Sequence, residues 1–161
     1  MARLLLVHHS PTSAVRMLTD AVLSGAGDDA LVGVEIVART ALEATAGDVL
    51  AADGIVLGTP ANFGYMSGAL KHFFDTVFLE VGGALADTGA AGAVAGGRKP
   101  FGLYVHGRYD VSGAVRSVLA ITGALPWRQA ARVLEVTGDV TRADRESAYE
   151  LGGTIAALAA E

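Results

Sequence analysis

The stretch GIVLGTPANFGYMSGALKHFFDTVF, running from Gly54 to Phe78, decides the fold. Its opening, Gly54 to Gly58, is a short β-branched apolar run between glycines, the pattern of a strand buried on both faces. Its close repeats apolar residues at Leu70, Phe73, Phe74, Val77 and Phe78, which is helical spacing with one broad buried stripe. Lys71, His72 and Asp75 fall mostly off that stripe. Between the two parts, Thr59 to Met66 holds one proline, one glycine and no periodicity, and reads as a loop. A strand that passes through such a loop into a helix leaves the loop at the carboxyl end of a sheet, where open α/β folds keep their ligands.

The same alternation extends in both directions. Upstream, Leu4 to Val7 is a continuous apolar run suited to a central parallel strand. The turn HHSPTS (residues 8–13) follows, then helical spacing at Val15, Leu18, Ala21 and Val22, with Gly25 placed as a C-terminal helix glycine. Val32 to Ala38 reads as a second strand and the alanine-rich Ala41 to Ala51 as a short helix. Downstream, Gly82 to Lys99 is rich in glycine (Gly82, Gly83, Gly89, Gly92, Gly96, Gly97), which argues against a long regular element and for a surface excursion. Phe101 to Val105 is the fourth strand, followed by a loop from His106 to Ser112 and helical spacing at Val115, Val118 and Leu119. Arg132 to Val136 alternates like a strand near a sheet edge. Thr141-x-x-Asp144 has the spacing of a capping box, and Leu151, Ile155 and Leu158 carry a last helix, weakened at Gly152 and Gly153 by roughly 1 kcal/mol each. Five strands alternating with about five helices, without repeat or linker, predict a doubly wound α/β parallel sheet forming one domain over residues 1–161.

Composition narrows the functional classes. With 161 residues, 52% of them hydrophobic, the chain can bury roughly 70% of its unfolded surface without staples. No cysteine is present, which removes disulfides, thiolate metal sites and cysteine nucleophiles. A net charge of -5 and only 12 thinly spread Lys and Arg argue against a nucleic-acid surface. No apolar run approaches a membrane span, and no signal-peptide pattern precedes the first strand, so a soluble, cytoplasmic protein without membrane insertion is expected. Adjacent His8 and His9 point to opposite faces of a strand end with no carboxylate beside them in sequence, which argues against a metal site involving them and His72. Ser67 lacks a glycine-flanked elbow and reads as a helix cap rather than a nucleophile.

Three segments each carry a plain and a functional reading. Ser10, Thr12 and Ser13 can cap the first helix and do no more. Alternatively their hydroxyls and the free amides up to Ala14 and Val15 converge on the positive end of a helix dipole, which suits a phosphate. His106 is either a histidine hydrogen-bonded at a strand end or a ligand contact, and Phe63 and Tyr65 are either packing residues or part of a binding wall.

Thr59 to Asp75, TPANFGYMSGALKHFFD, resembles the second flavin loop and following helix of the flavodoxin-like family. It is most similar to the branch of tryptophan-repressor-binding-type NAD(P)H:quinone oxidoreductases and NADPH-dependent FMN reductases. The resemblance implies a five-stranded sheet of order 2-1-3-4-5 with helices on both faces and FMN at the switch point between the first and third strands, a placement general to this fold. It implies FMN phosphate on Ser10, Thr12, Ser13 and Ala14, the flavin ring against Thr59, Pro60, Ala61, Asn62, Phe63 and Gly64, and the pyrimidine end near His106, Gly107 and Tyr109. Gly64, lacking a Cβ, allows close main-chain approach to the ring. The implied partners are NAD(P)H and a small acceptor such as a quinone, with no protein acid or base essential because the cofactor carries the chemistry. A flavodoxin-type electron carrier and a binding module that has lost FMN are the alternatives. Two departures bear on them. Ser13-Ala14-Val15 stands where the flavodoxin phosphate signature ends in glycine-asparagine-threonine, and residues 82–99 lack the tryptophan common in the quinone-reductase branch, which bears on whether the chain forms that branch's homo-oligomer. The single tryptophan, Trp127, is read as a packing residue.

Overall fold

The chain alternates strands and helices from its first residues. The computed structural model describes residues 1–83 and 98–161. Most of the expected glycine-rich excursion, with Gly89, Gly92, Gly96 and Gly97, lies outside the described residues. The elements are β1 (Ala2–His8), α1 (Ser13–Ala26), β2 (Val34–Thr40), α2 (Ala46–Ala51), β3 (Gly54–Asn62), β4 (Tyr65–Met66), α3 (Gly68–Val77), β5 (Lys99–Gly107), α4 (Ser112–Thr122), β6 (Trp127–Gln129), β7 (Leu134–Thr137) and α5 (Arg142–Ala159).

The long strands run parallel in the order β2-β1-β3-β5, and the fifth position is shared by β6 and β7. Numbering the five strand positions in chain order, this is the expected 2-1-3-4-5 arrangement. The shared position corrects the single strand expected at Arg132 to Val136. β6 pairs Gln129 with Phe101, and β7 resumes by pairing Leu134 with Tyr104, so the edge advances five residues while β5 advances three. Two extra residues must leave the ladder, which breaks the edge strand in the manner of a large bulge.

Period-2 alternation sends successive strand residues to opposite faces, and each face has its own core. Leu5 and Val7 of β1, Ile55 and Leu57 of β3, and Leu103 and Val105 of β5 face α2, α3 and α4. Leu4, Leu6, Val56 and Tyr104 face α1 and α5. Of the expected α3 stripe, Leu70, Phe73, Phe74 and Val77 are buried, whereas Phe78 is the C-cap and only partly buried; Ser67 caps the helix start by accepting the Leu70 amide at 3.2 Å. Trp127 packs at 6.0 Å from Phe101 and 6.5 Å from Phe74, ring centre to ring centre.

Other boundaries moved for identifiable reasons. β2 begins at Val34, because Gly33 adopts φ +82° and Val32 before it is exposed. The alanine-rich helix is confined to Ala46–Ala51 by a capping box in which Thr45 and Asp48 bond reciprocally. Thr141 and Asp144 start α5 in the same way. Gly25 is not a helix terminus: α1 continues to Ala26 and is capped by Gly27.

Gly25 and Gly152 instead let α1 and α5 touch backbone to backbone. A Cβ on Gly25 would lie 1.8 Å from the Tyr149 carbonyl oxygen, and one on Gly152 would lie 2.0 Å from that of Val22. The helix-weakening glycine noted in the sequence is therefore required by packing. Gly152→Ala improves helix propensity by about 1 kcal/mol, yet it must separate the two helices, a strain of about 1–3 kcal/mol. Net destabilisation is expected in urea unfolding, and a rise in stability would overturn this account of the crossing.

Candidate functional site

Three loops leave the carboxyl ends of three neighbouring strands. β1 ends opposite Gly58 of β3, where the His9 amide donates to the Gly58 carbonyl at 3.0 Å. β3 in turn pairs Pro60 with His106 of β5. The segments after β1, within and after β3, and after β5 thus start side by side, and this is where the expected site residues fall.

The first segment is held from below. Ser10 Oγ lies 2.8 Å from His8 Nδ1 and 2.8 Å from Thr19 Oγ1, and Thr19 Oγ1 lies 2.6 Å from the Tyr104 hydroxyl. Thr12 is the N-cap of α1, its side chain accepting the Val15 amide at 3.3 Å and its carbonyl the Arg16 amide at 3.0 Å. The Ser13 and Ala14 amides, in the first turn of α1, have no intrahelical acceptor. Thr12 and Ser13 are exposed. These donors sit at the positive end of a fourteen-residue helix, which favours an anion. Burial holds the His8 imidazole below its ordinary pKa of 6.5; the neighbouring His9 adds to this and Asp20 opposes it.

The second segment corrects the expected loop. β3 runs on through Thr59, Pro60, Ala61 and Asn62, and Tyr65–Met66 folds back antiparallel to it, Asn62 opposite Tyr65. Phe63 (φ +52°) and Gly64 (φ +78°) form the two-residue turn, with positive φ at both central positions as primed hairpin turns require. Phe63 is the sole non-glycine residue at positive φ among the described residues, and its ring is fully exposed, so it is not a packing residue. Tyr65 is exposed as well. Thr59 is buried beneath the hairpin, its hydroxyl donating to the Pro60 carbonyl at 2.8 Å and accepting the Ser67 amide at 2.9 Å. The hairpin tip rests on α4: a Cβ on Gly113 would lie 2.1 Å from the Gly64 carbonyl oxygen, and the Met66 amide donates to Ser117 Oγ at 3.3 Å.

Across from this hairpin, the third segment lifts Tyr109 into solvent and keeps Gly107 buried. Ala61, Phe63 and Gly64 on one side and Gly107, Tyr109 and Arg116 on the other line a cleft of about 640 Å³. Arg108 also borders it and pairs with Asp139 at 2.9 Å. Neither arginine was singled out in the sequence; for Arg116 the reason is that nothing in local spacing brings α4 back over the hairpin. His106 takes its strand-end reading: it is buried, and its Nε2 donates to the Gly138 carbonyl at 2.7 Å. Thr59 and His106 thus turn inward, while Ala61, Phe63, Gly64, Gly107 and Tyr109 come together. Among the described residues, no three His, Asp or Glu side chains gather as a metal site, and no helix is long and apolar enough to cross a membrane.

Comparison with known proteins bears on the family and the fold. Residues 16–134 match the family model described as NADPH-dependent FMN reductase; the match begins just beyond the Ser10–Ala14 segment. A flavodoxin from Aquifex aeolicus (strain VF5) is 34% identical over 85 residues, a stretch that covers 53% of this chain and 45% of that protein. Among solved structures, a flavodoxin from the domain Archaea superposes with a TM-score of 0.77 at 14% identity, covering 99% of both chains. A flavodoxin, WrbA-like protein from Agrobacterium tumefaciens gives a TM-score of 0.70 at 18% identity, covering 99% of this chain and 98% of that one. These likenesses show a flavodoxin-like fold.

Two expectations follow from the local geometry. The lowered His8 pKa means that the folded state favours the neutral ring, so its contribution to stability is present above pH 6.5 and is lost as pH falls through the folded value. Urea midpoints between pH 7.5 and 5 should therefore fall more steeply for the wild type than for His8→Gln. Phe63→Asn should raise stability by about 0.5–1 kcal/mol, because asparagine before glycine suits this turn and phenylalanine does not; an unchanged or lower urea midpoint contradicts the strain at Phe63.

Proposed function

The chain belongs to the NADPH-dependent FMN reductase family and is a flavodoxin-like FMN protein, and from this premise we propose that it is an NAD(P)H-dependent oxidoreductase acting on a quinone or similar small acceptor in the cytoplasm. The observation that carries this reading is the convergence of three segments at one end of the sheet, an amide-rich helix start beside an exposed aromatic hairpin and an arginine-bordered cleft.

The donor set fits FMN. A dianionic phosphate needs N–H and O–H donors near positive potential, and the Thr12 and Ser13 hydroxyls with the Ser13 and Ala14 amides are of that kind. Ser10 holds its hydroxyl inward, so its part is to fasten the segment. The absence of the flavodoxin ending at Ser13-Ala14-Val15 leaves fewer hydroxyls than a full signature supplies. A flat ring needs an apolar wall with main-chain polar groups at its edge; Ala61, Phe63 and Gly64 line the cleft as that wall, with Pro60 buried behind them and Asn62 exposed beside them, and Gly64 has nothing within 4 Å of its Cβ position. Gly107 and Tyr109 close the opposite side, with Thr59 and His106 supporting the two walls from inside.

Held there, FMN would supply the hydride and electron transfer between NAD(P)H and the acceptor. The chain's part is to hold and orient it, to exclude water with Phe63 and Tyr109, and to attract an anionic dinucleotide with Arg108 and Arg116. No side chain is required to move a proton.

The curated flavodoxin relative supports a second reading, an electron carrier without a nicotinamide substrate. Kinetics separate the two. As an enzyme, the FMN-loaded protein oxidises NADH or NADPH with a quinone far faster than free FMN does, and Arg116→Ala raises the nicotinamide KM about three- to tenfold with kcat little changed, as loss of uniform binding does. Absence of turnover above free FMN overturns the enzyme reading and leaves the carrier. Absence of any FMN binding overturns both.

A further inference from the structure

We propose that Thr19 and Tyr104 are positioning residues for the Ser10–Ala14 segment, fixing its anion-facing amides through a chain of buried hydroxyls without touching the ligand. The inference rests on the reading of that segment as the phosphate seat.

Tyr104 stands in the middle of β5, two strands away from β1, and is completely buried. Its ring reaches the first segment only because Gly58 of the intervening strand has no side chain: a Cβ there would lie 2.0 Å from Tyr104 Cζ. The phenol meets Thr19 Oγ1 at 2.6 Å, Thr19 meets Ser10 Oγ at 2.8 Å, and Ser10 meets His8 Nδ1 at 2.8 Å. Burial pushes the Tyr104 pKa far up, so the phenol keeps its proton. One assignment then satisfies all four groups: Tyr104 donates to Thr19, Thr19 to Ser10, and Ser10 to the unprotonated Nδ1 of His8. Every buried side-chain polar atom among the described residues has a partner, so the chain leaves none stranded.

Core filling alone does not account for this arrangement. Phenylalanine at 104 and valine at 19 would occupy nearly the same volume without the desolvation cost of two hydroxyls. What the hydroxyls add is direction: they tie Ser10 to α1 and β5 at one fixed point. Ser10 lies three residues before Ser13 and four before Ala14, and only proline and threonine, the latter already the helix cap, stand between Ser10 and Ser13. Fixing Ser10 therefore sets the approach of the chain to the first turn of α1, where the acceptor-less amides lie.

The test compares FMN with riboflavin, which has the same ring and no phosphate, by fluorescence titration of protein stripped of flavin, alongside thermal melting. In Thr19→Val and Tyr104→Phe the FMN Kd should rise about tenfold, the effect of one well-placed hydrogen bond to a charged group, while the riboflavin Kd stays unchanged. Thr19→Ser should restore FMN binding. Ser10→Ala, which cuts the chain at its surface end without touching the core, should act like Thr19→Val even where a core variant fails to fold. Equal weakening of both flavins, or no change in either, overturns the inference and leaves the hydroxyls a structural role. A wild type that binds FMN and riboflavin equally overturns it too. A wild type that binds neither removes the phosphate seat itself, which is the separate failure of the underlying reading.

Discussion

The missing side chain at Gly58 is the constraint on which the carboxyl end of the sheet depends. It lets an aromatic ring from β5 lie across β3 and meet α1, so three strands and a helix are registered at one point. Parallel strands buried on both faces have otherwise few directional contacts beyond their ladders, since their side chains are mainly aliphatic. Here the ladders set the spacing between strands, and the hydroxyl chain sets where the first connection leaves. Gly113 has the same character on the other side of the site, where a helix start is pressed against the Gly64 carbonyl. The site is thus framed by two positions at which backbone or ring comes closer than any Cβ permits.

The elements that could be read directly from the sequence are those whose determinants are local. The α3 stripe, the Ser67 cap, the Thr141 capping box and the central strands depend on residues within a few positions of each other, and the structure has them as expected. The order of the strand positions came from the resemblance carried by Thr59 to Asp75 rather than from local spacing, and the sheet has it. The break between β6 and β7 was not legible, because it arises from a mismatch between two strand lengths that only pairing reveals. Gly25, read as a helix end, and Gly152, read as a weak point, escaped for a related reason: alone each has an ordinary local explanation, and together they are a crossing.

The site follows the same division. Residue types at 10–14 and 59–64 drew attention to these two segments, and register places them side by side. What spacing could not convey is which way a side chain turns. Ser10, Thr59 and His106 are polar residues near the carboxyl end of the sheet that face inward and brace the frame, whereas Phe63, an apolar residue, faces outward from a strained turn. Strain and exposure together at an aromatic residue are features that packing alone does not produce. Thr19 and Tyr104 carried no signal at all in the sequence, because a threonine on a buried helix face and a tyrosine in a strand are ordinary until their partner is known.

The α1–α5 crossing also bears on how such a chain reaches its native state. Asp28 and Tyr149, which hydrogen-bond beside it, are 121 positions apart. Contacts of that span carry a large loop-closure entropy and form late. Until α5 docks, the face of β1 and β3 that carries Leu4, Leu6 and Val56 has only α1 to cover it. A ribosome-bound intermediate lacking the last helix would therefore present a sticky, half-clad sheet, the kind of species that chaperones capture and that aggregates when they are scarce.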